Sequence, residues 1–294
     1  MHISVLQKET VEYLDPKPDQ NFIDCTIGGG GYTFAILEKN GPTGKILGID
    51  WSAQVAENIK RKINNTKYRD RVILVCDNFA NLKEIVKEKK FGKVSGILLD
   101  LGMSSWHLEE SKRGFSFRED ESLDMRYGSG DVTAEKIINS WPETEIERIL
   151  KEYGQERFAK KIAAEIVKQR KFRPIKNTLE LVEIIKKAMP PRHRKEKIHF
   201  ATRTFQALRI AVNDELDNLK KVLPQAIDVL ERDGRLVVIS FHSLEDGIVK
   251  SFLKENSKGH LLNILTKKPV GPSIQEQKIN PRSRSARLRA AIKS

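Results

Sequence analysis

Four short apolar runs recur along the first third of the chain: "NFIDCT" (21–26), "KILGID" (45–50), "VILVCD" (72–77) and "VSGILLD" (94–100). Stretches with helical spacing, such as "SAQVAENIKRKI" (52–63) and "FANLKEIVKEKK" (79–90), lie between them. The runs are rich in Ile, Val and Leu and apolar on successive residues, the pattern of strands buried on both faces. Parallel strands need long crossovers, and the intervening helices supply them. The alternation therefore dictates an α/β fold, a doubly wound parallel sheet covered by helices on both faces. Ligands of such sheets gather at the carboxyl ends of the strands. Here those ends are acidic: Asp50, Asp77 and Asp100 close three of the runs, and Asp24 sits inside the first.

The alternation stops after Asp100. From about residue 104 to 200 the chain is first loop-rich, then helical in "AEKIINSW", "EIERILKEYGQERFAKKIAAEIVKQRKF" and "TLELVEIIKKAM". The paired prolines of "MPPRHRKEK" (189–197) mark a boundary loop. A helical stretch then leads, with Pro224 starting a second helix, to a buried strand "GRLVVISF" (234–241) and a closing pair, "HLLNILTKKPV" and "SARLRAAIK". The expected organisation is a sheet domain in two parts, 1–103 and 201–294, interrupted by a helical insert at 104–200.

Charge points to the partner class. The 294-residue chain has a formal net charge of +13, and the excess is concentrated in two places. Residues 151–200 hold 15 Lys/Arg against 6 Asp/Glu, and residues 267–294 hold 8 against 1. Two basic patches on a near-neutral body suit a phosphate backbone. Neither patch carries the bulky apolar stripe of a membrane-surface helix, and no apolar run approaches the roughly 20 residues of a membrane span. The N-terminus lacks the basic-then-apolar pattern of a signal peptide. Two cysteines, Cys25 and Cys76, without CxxC spacing argue against a disulfide framework or a zinc site, so a cytoplasmic protein without a bound metal is expected.

The first strand runs into four glycines, "NFIDCTIGGGGYT". A dinucleotide fingerprint requires G-x-G-x-x-G. Gly28 and Gly30 supply two of these, but Thr33 or Phe34 stands where the third should be. S-adenosylmethionine has no pyrophosphate. A turn that holds it must approach its methionine moiety, with a carboxylate such as Asp24 for the ammonium group. Asp50 is placed to accept ribose hydroxyls, while Asp77 and Phe79 suit an adenine amine and ring. Asp100 stands at the lip of the same crevice. His242 and Ser243, with Glu245 and Asp246, superficially resemble a hydrolase triad, but no G-x-S-x-G elbow exists.

Further motifs appear in order: "LLDLGMSS", "RGFSF" (113–117), "LDMR" (123–126), "YGQERFAKKIA" (153–163), "ATRTFQALRI" (201–210), "ISFHSLED" (239–246) and "NPRSRSARLR" (280–289). With "GGGGYT", this series resembles the bacterial ribosomal RNA small-subunit methyltransferase H family, also called MraW, over nearly the whole chain. The resemblance implies a class I S-adenosylmethionine-dependent methyltransferase (Rossmann-like) sheet with an inserted helical domain. It also implies N4-methylation of one cytidine in the decoding region of 16S rRNA, with the RNA expected within the small ribosomal subunit. Mapped by motif, the cofactor residues are Gly30, Gly31, Tyr32, Asp50, Phe79, Asp100 and His107. The chain departs from the family pattern at Tyr32 (usually His), Trp106-His107 (Pro-Gln), Phe200 (Pro) and Gly247 (Arg).

On this reading Asp100 is the first candidate to accept an N4 proton, with His242 as the second. Arg113, Phe115 and Phe117 are candidates to hold an unstacked base. Arg203, Arg209, Arg282, Arg284 and Arg287 are candidate phosphate contacts. Two rival readings are an NAD-dependent Rossmann enzyme and a non-catalytic RNA-binding assembly factor. The missing third glycine weighs against the former, and the acidic strand ends against the latter. The oligomeric state is open, a homodimer included.

Overall fold

The structure, a computed structural model, describes residues 4–194 and 198–294. The chain divides into two compact units, Met1–Ser104 with Leu216–Ser294, and Ser105–Glu215. In chain order the first unit begins with α1 (Gln7–Leu14), β1 (Phe22–Asp24), α2 (Gly31–Leu37), β2 (Ile46–Asp50), α3 (Ala53–Asn64), β3 (Val72–Cys76), α4 (Leu82–Glu88) and β4 (Val94–Asp100). The second unit holds α5 (Ser105–Glu109), α6 (Ala134–Ser140), α7 (Glu143–Glu152), α8 (Ala159–Arg170), α9 (Thr178–Ala188) and α10 (Thr202–Asn213). The chain then continues through α11 (Glu215–Val229), β5 (Leu230–Ser240), α12 (Ser243–Lys258), β6 (Leu262–Ile264), α13 (Ile274–Ile279) and β7 (Arg287–Lys293).

The seven strands form one sheet in the order β3-β2-β1-β4-β5-β7-β6. β1 to β5 run parallel, and β7 is antiparallel to both β5 and β6. The order reverses between β1 and β4, so the ends of those two strands flank the topological switch point, where a ligand crevice opens. Their register pairs Asp24 with Leu98 and leaves Asp100 two residues further along β4.

Side-chain alternation explains why the strands read as unbroken apolar runs. On one face Ile23, Leu47, Ile49, Ile97 and Leu99 pack with Leu219, Leu223 and Ala226 of α11 and Val249 and Leu253 of α12. On the other, Phe22, Ile46, Leu98, Val237 and Ile239 pack with Leu6 and Leu14 near α1 and Ile36 and Leu37 of α2. Both faces are buried, and a fully buried Leu or Ile contributes roughly 1.5–3 kcal/mol.

The second unit is a cluster of helices. α7 packs on α8, α8 on α9 and α6, and α10 on α7 and α6. Buried Ile137, Ile149, Leu150, Ile162, Ile166, Leu181, Ile185 and Leu208 fill the interior. α10, expected from sequence to open the second part of the sheet domain, thus packs with the inserted helices, and the chain rejoins the sheet unit at Leu216.

Pro224 does not start a helix but lies inside α11. Proline costs one backbone hydrogen bond there. Its fixed φ remains helical, and buried Leu219, Val222, Leu223, Ala226 and Ile227 hold both halves to one stripe. Among the described residues no helix is long and apolar enough to cross a membrane.

Candidate active site

Three carboxylates, each carried by a strand end, form the polar centre of the sheet unit. Asp24 ends β1 and is fully buried. Its Oδ2 accepts a hydrogen bond from the Thr33 hydroxyl at 2.8 Å, and its Oδ1 accepts from the Thr26 amide at 3.2 Å. Asp50 ends β2, where Oδ2 accepts from the Gly28 amide at 3.1 Å and Oδ1 from the Ser52 amide at 2.9 Å. Asp100 ends β4, and its own amide donates to the Thr26 hydroxyl at 2.7 Å.

These contacts show how the glycine turn is held. The Ile27 amide donates to the Ile49 carbonyl and the Gly28 amide to Asp50, so the turn is stitched to β2. Gly30 has φ +81, and a Cβ there would run into Ile59. Gly31 has its Cβ direction closed by Ser4. Gly30 requires glycine for its positive φ, and at Gly31 an added Cβ would displace the Ser4 side chain, both separately from any ligand contact. Tyr32 is 3% exposed, and its hydroxyl donates to the Val5 carbonyl at 2.6 Å.

Burial dominates the electrostatics. Desolvation pushes Asp24 and Asp50 up to about 6, although amide and hydroxyl donors pull them back. Asp100 is pushed up to about 8, first by burial and then by the charge of Asp24. Its Oδ1 is buried without a hydrogen-bond partner among the described residues. An orphaned carboxylate oxygen at a strand end beside two other acids is a place for a ligand that brings positive charge or a donor N–H.

The other sequence candidates are distributed as follows. Asp77 caps the turn after β3, with Oδ1 accepting from the Asn78 amide at 2.6 Å and from the Asn81 side chain at 3.0 Å. Phe79 opens that turn and packs half-buried against the sheet core. His107 lies on α5 of the helical unit. Its ring is buried among Trp106, Phe115 and Tyr127 at centroid distances of 5.3, 5.0 and 4.9 Å. Burial, then Arg113 and Arg209, hold it down to about 4, so it is neutral at physiological pH.

His242 has a structural task that the sequence reading missed. It is the N-cap of α12: its Nδ1 accepts from the Glu245 amide at 3.4 Å, while Glu245 Oε2 accepts from the Phe241 and His242 amides. This reciprocal capping box satisfies orphan donors of the helix start. Glu245 Oε1 lies 3.2 Å from His242 Nε2, a buried nitrogen that has no hydrogen-bond partner among the described residues.

Among the candidate RNA contacts, Phe115 is 6% exposed and stacks on Tyr127 at 5.3 Å. Phe117 stacks half-buried on His199 at 4.6 Å. Arg113 donates to the Arg126 carbonyl and lies over the Trp106 ring. Arg203 is half-buried on α10. Arg209 makes a bidentate pair with Glu215 at 2.8 and 2.9 Å, which commits its charge within the helical unit. Arg282 and Arg284 are exposed on the turn Pro281–Ser285. Arg287 and the buried Arg289 both pair with Asp246. Burial would raise Asp246, but the two guanidiniums outweigh it and hold that carboxyl low.

Two residues not among the sequence's site candidates, Thr26 and Thr33, organise Asp24 and Asp100. Their signal was present, since each stands within the glycine turn's flanks, but a threonine there is also an ordinary turn residue.

The MraW methylase family profile matches residues 1–294. The ribosomal RNA small subunit methyltransferase H of Heliobacterium mobile is 48% identical, covering 99% of this chain and 98% of its own length. The protein of the same name from Thermosipho melanesiensis is 47% identical, covering 99% and 97%. Among solved structures, an rRNA methylase from Streptococcus thermophilus matches with a TM-score of 0.47 at 11% identity, over 100% of this chain and 99% of that one.

Proposed function

The chain belongs to the MraW methylase family, and from that premise we propose that it transfers a methyl group from S-adenosylmethionine to N4 of a cytidine in the decoding region of 16S rRNA. Its relatives, named ribosomal RNA small subunit methyltransferase H, support the substrate class. The observation that carries the chemistry is Asp100, whose buried, unpartnered Oδ1 stands at the end of β4 beside the switch point.

Bound S-adenosylmethionine supplies a sulfonium-borne methyl and positive charge. The residues that fit it are the acids at the strand ends. Asp24 takes the ammonium group, Asp50 the ribose hydroxyls, and Phe79 the face of the adenine ring. Asp77 retains Oδ2 for the adenine amine, because its cap uses Oδ1.

Cytosine N4 is a weak nucleophile because its lone pair is delocalised into the ring. A carboxylate that accepts an N4–H bond lets the nitrogen pyramidalise and then receives the proton. Pushed up to about 8 in the ligand-free chain, the carboxyl holds its proton at neutral pH, and the positive charge of a bound sulfonium would favour the carboxylate form that this task needs. Thr26 fixes the Asp100 backbone, and Thr33 with the Thr26 amide keeps Asp24 in place. Such preorganised positioning supplies most of the gain in a group transfer of this kind.

The test is labelled-methyl transfer to small-subunit particles, followed by mass mapping of the modified nucleotide. A label on N4 of one cytidine is expected, and its loss in Asp100→Asn. A label on carbon 5 or on a ribose would reject the N4 assignment.

A further inference from the structure

The end of α8 carries a surface that the strand-end chemistry does not use. Residues 168–176 read "KQRKFRPIK", five cations without an acid. Phe172 stands among them with 79% of its surface exposed. Lys and Arg in a last helical turn have an ordinary explanation, the negative end of the helix dipole. That accounts for Lys168 and Arg170, which lie in the last turn of α8. It does not account for a phenyl ring held in solvent, which costs hydrophobic free energy and serves no core.

The local backbone keeps the ring outward. The Phe172 and Arg173 amides both donate to the Gln169 carbonyl, at 3.0 and 3.4 Å, closing the helix end into a tight turn. Pro174 then prevents the helix from continuing. Ile175 turns inward, 3% exposed, with its amide donating to Asn139 Oδ1 at 2.9 Å. The turn is thereby pinned on both sides of Phe172.

The neighbouring charges are arranged in two groups. Arg170 donates to the Ile138 carbonyl at 2.8 Å and keeps its full charge, because a carbonyl neutralises nothing. Arg173 pairs with Glu180 at 2.9 Å but remains 76% exposed. A cavity of about 370 Å³ beside the turn is lined by Asp120, Glu180 and Glu183 together with Arg173 and Lys187. Arg173 and its partner Glu180 line that cavity, whereas Lys168, Arg170 and Lys171 do not.

We propose that Phe172, flanked by Lys168, Arg170 and Lys171, is a stacking platform for an unpaired base of the RNA substrate, with the phosphates on either side of that base held by the three cations. Every base offers a π-face, so the platform is tolerant of sequence but demands a single strand. The inference rests on the rRNA methyltransferase reading for its RNA, and it concerns a nucleotide other than the one methylated.

The test measures binding of the full chain to a labelled single-stranded RNA 12-mer and to the same sequence as a duplex. The variants are Phe172→Leu, which keeps apolar bulk without a π-face, Phe172→Tyr, which keeps the face, and Lys171→Ala. Stacking of one base corresponds to about a 5- to 150-fold change in affinity. Phe172→Leu is expected to weaken single-strand binding at least about fivefold, with Phe172→Tyr near wild type and duplex binding unchanged. Lys171→Ala is expected to flatten the salt dependence by roughly 0.7 in the log–log slope. At 79% exposure none of the Phe172 changes should alter thermal stability.

Equal single-strand binding by Phe172→Leu would overturn the platform, as would an equal loss on duplex. A loss of methyl transfer to assembled subunits without any loss of RNA binding would also overturn it, and would point to a protein partner. Methyl transfer by the wild type is measured in parallel. Failure of that transfer with Phe172-dependent binding intact would sink the enzymatic reading and leave the platform standing.

Discussion

The amide of Asp100 donates to the hydroxyl of Thr26 across 2.7 Å, tying the end of β4 to the residue that follows β1. This one bond sets where the orphaned Asp100 carboxylate sits relative to Asp24. Replacing Thr26 by Val leaves a buried N–H without its partner, a cost of about 1–3 kcal/mol. It also frees the strand end to shift, and a displacement near 1 Å can cost about a hundredfold in rate. Turnover of Thr26→Val should fall roughly 10- to 100-fold with little change in KM for S-adenosylmethionine, and Thr26→Ser should restore it. A Val variant with wild-type kcat would show that the bond positions nothing.

The raised proton affinity of Asp100 makes the stability of the ligand-free protein pH-dependent. Folded, the group releases its proton at about 8, against 3.8 for an ordinary Asp. Between those values the folded state holds a proton that the unfolded chain has lost, so stability falls as pH rises. Asp24 and Asp50 act with the same sign up to about 6. His107, held down to about 4 from 6.5, acts with the opposite sign below 6.5. From pH 6.5 to 8 Asp100 therefore dominates these four groups. Thermal unfolding in that window should show a decline of order 1 kcal/mol that disappears in Asp100→Asn. A decline of equal size in the variant would assign it to another group.

Asp50 is held by two backbone amides, so its carboxylate is a fixed acceptor rather than a mobile one. Asp50→Asn replaces an acceptor-only group with one that also donates. Calorimetric titration with S-adenosylmethionine should show affinity reduced about tenfold or more, consistent with loss of a charge-assisted hydrogen bond. Affinity for the wild type should rise between pH 5 and 7 as Asp24 and Asp50, both pushed up to about 6, ionise.

His242 separates a helix cap from a catalytic base. Asn is a good N-cap and no base, whereas Ala is neither. His242→Asn should keep methyl transfer within a few-fold of wild type. His242→Ala should lose about 1 kcal/mol of stability by denaturant unfolding. Equal, large losses of kcat in both variants at unchanged stability would return His242 to the chemistry.

Arginines that look alike in sequence should behave differently. The Arg209–Glu215 pair is nearly buried, with side-chain exposures of 12% and 10%. Removing one partner strands the other charge, so Arg209→Ala should destabilise the helical unit by about 3 kcal/mol. Arg284 is exposed on its turn, and Arg284→Ala should leave the melting temperature unchanged while weakening RNA binding and lowering its salt dependence. If Arg209→Ala melted like the wild type, the pair would be ornamental.

Much of the sheet was legible because burial on both faces leaves its mark on consecutive residues. "KILGID" and "VSGILLD" became β2 and β4 within a residue of their expected limits. Less regular features were not legible. β6 has only three residues, of which Leu262 alone is buried. α1 begins after a left-handed Leu6 whose amide donates to Glu276, a partner 270 positions away. Pro224 was misread because a local rule about helix starts says nothing of the apolar stripe that carries α11 through it.

By itself the sequence determined the layered α/β architecture, the helical insert, the acidic strand ends and the basic patches, because periodicity and composition are local properties. Only the tertiary structure decided how the candidate residues divide. It tied Asp24 and Asp100 together through Thr26 and Asp50 to the Gly28 amide, placed His107 in an aromatic cluster, and gave His242 to a helix cap and Arg209 to Glu215. Hydrogen bonds and ion pairs between distant positions leave no period in the chain. Whether a carboxylate is desolvated or an arginine is neutralised depends on which neighbours folding brings within about 3 Å.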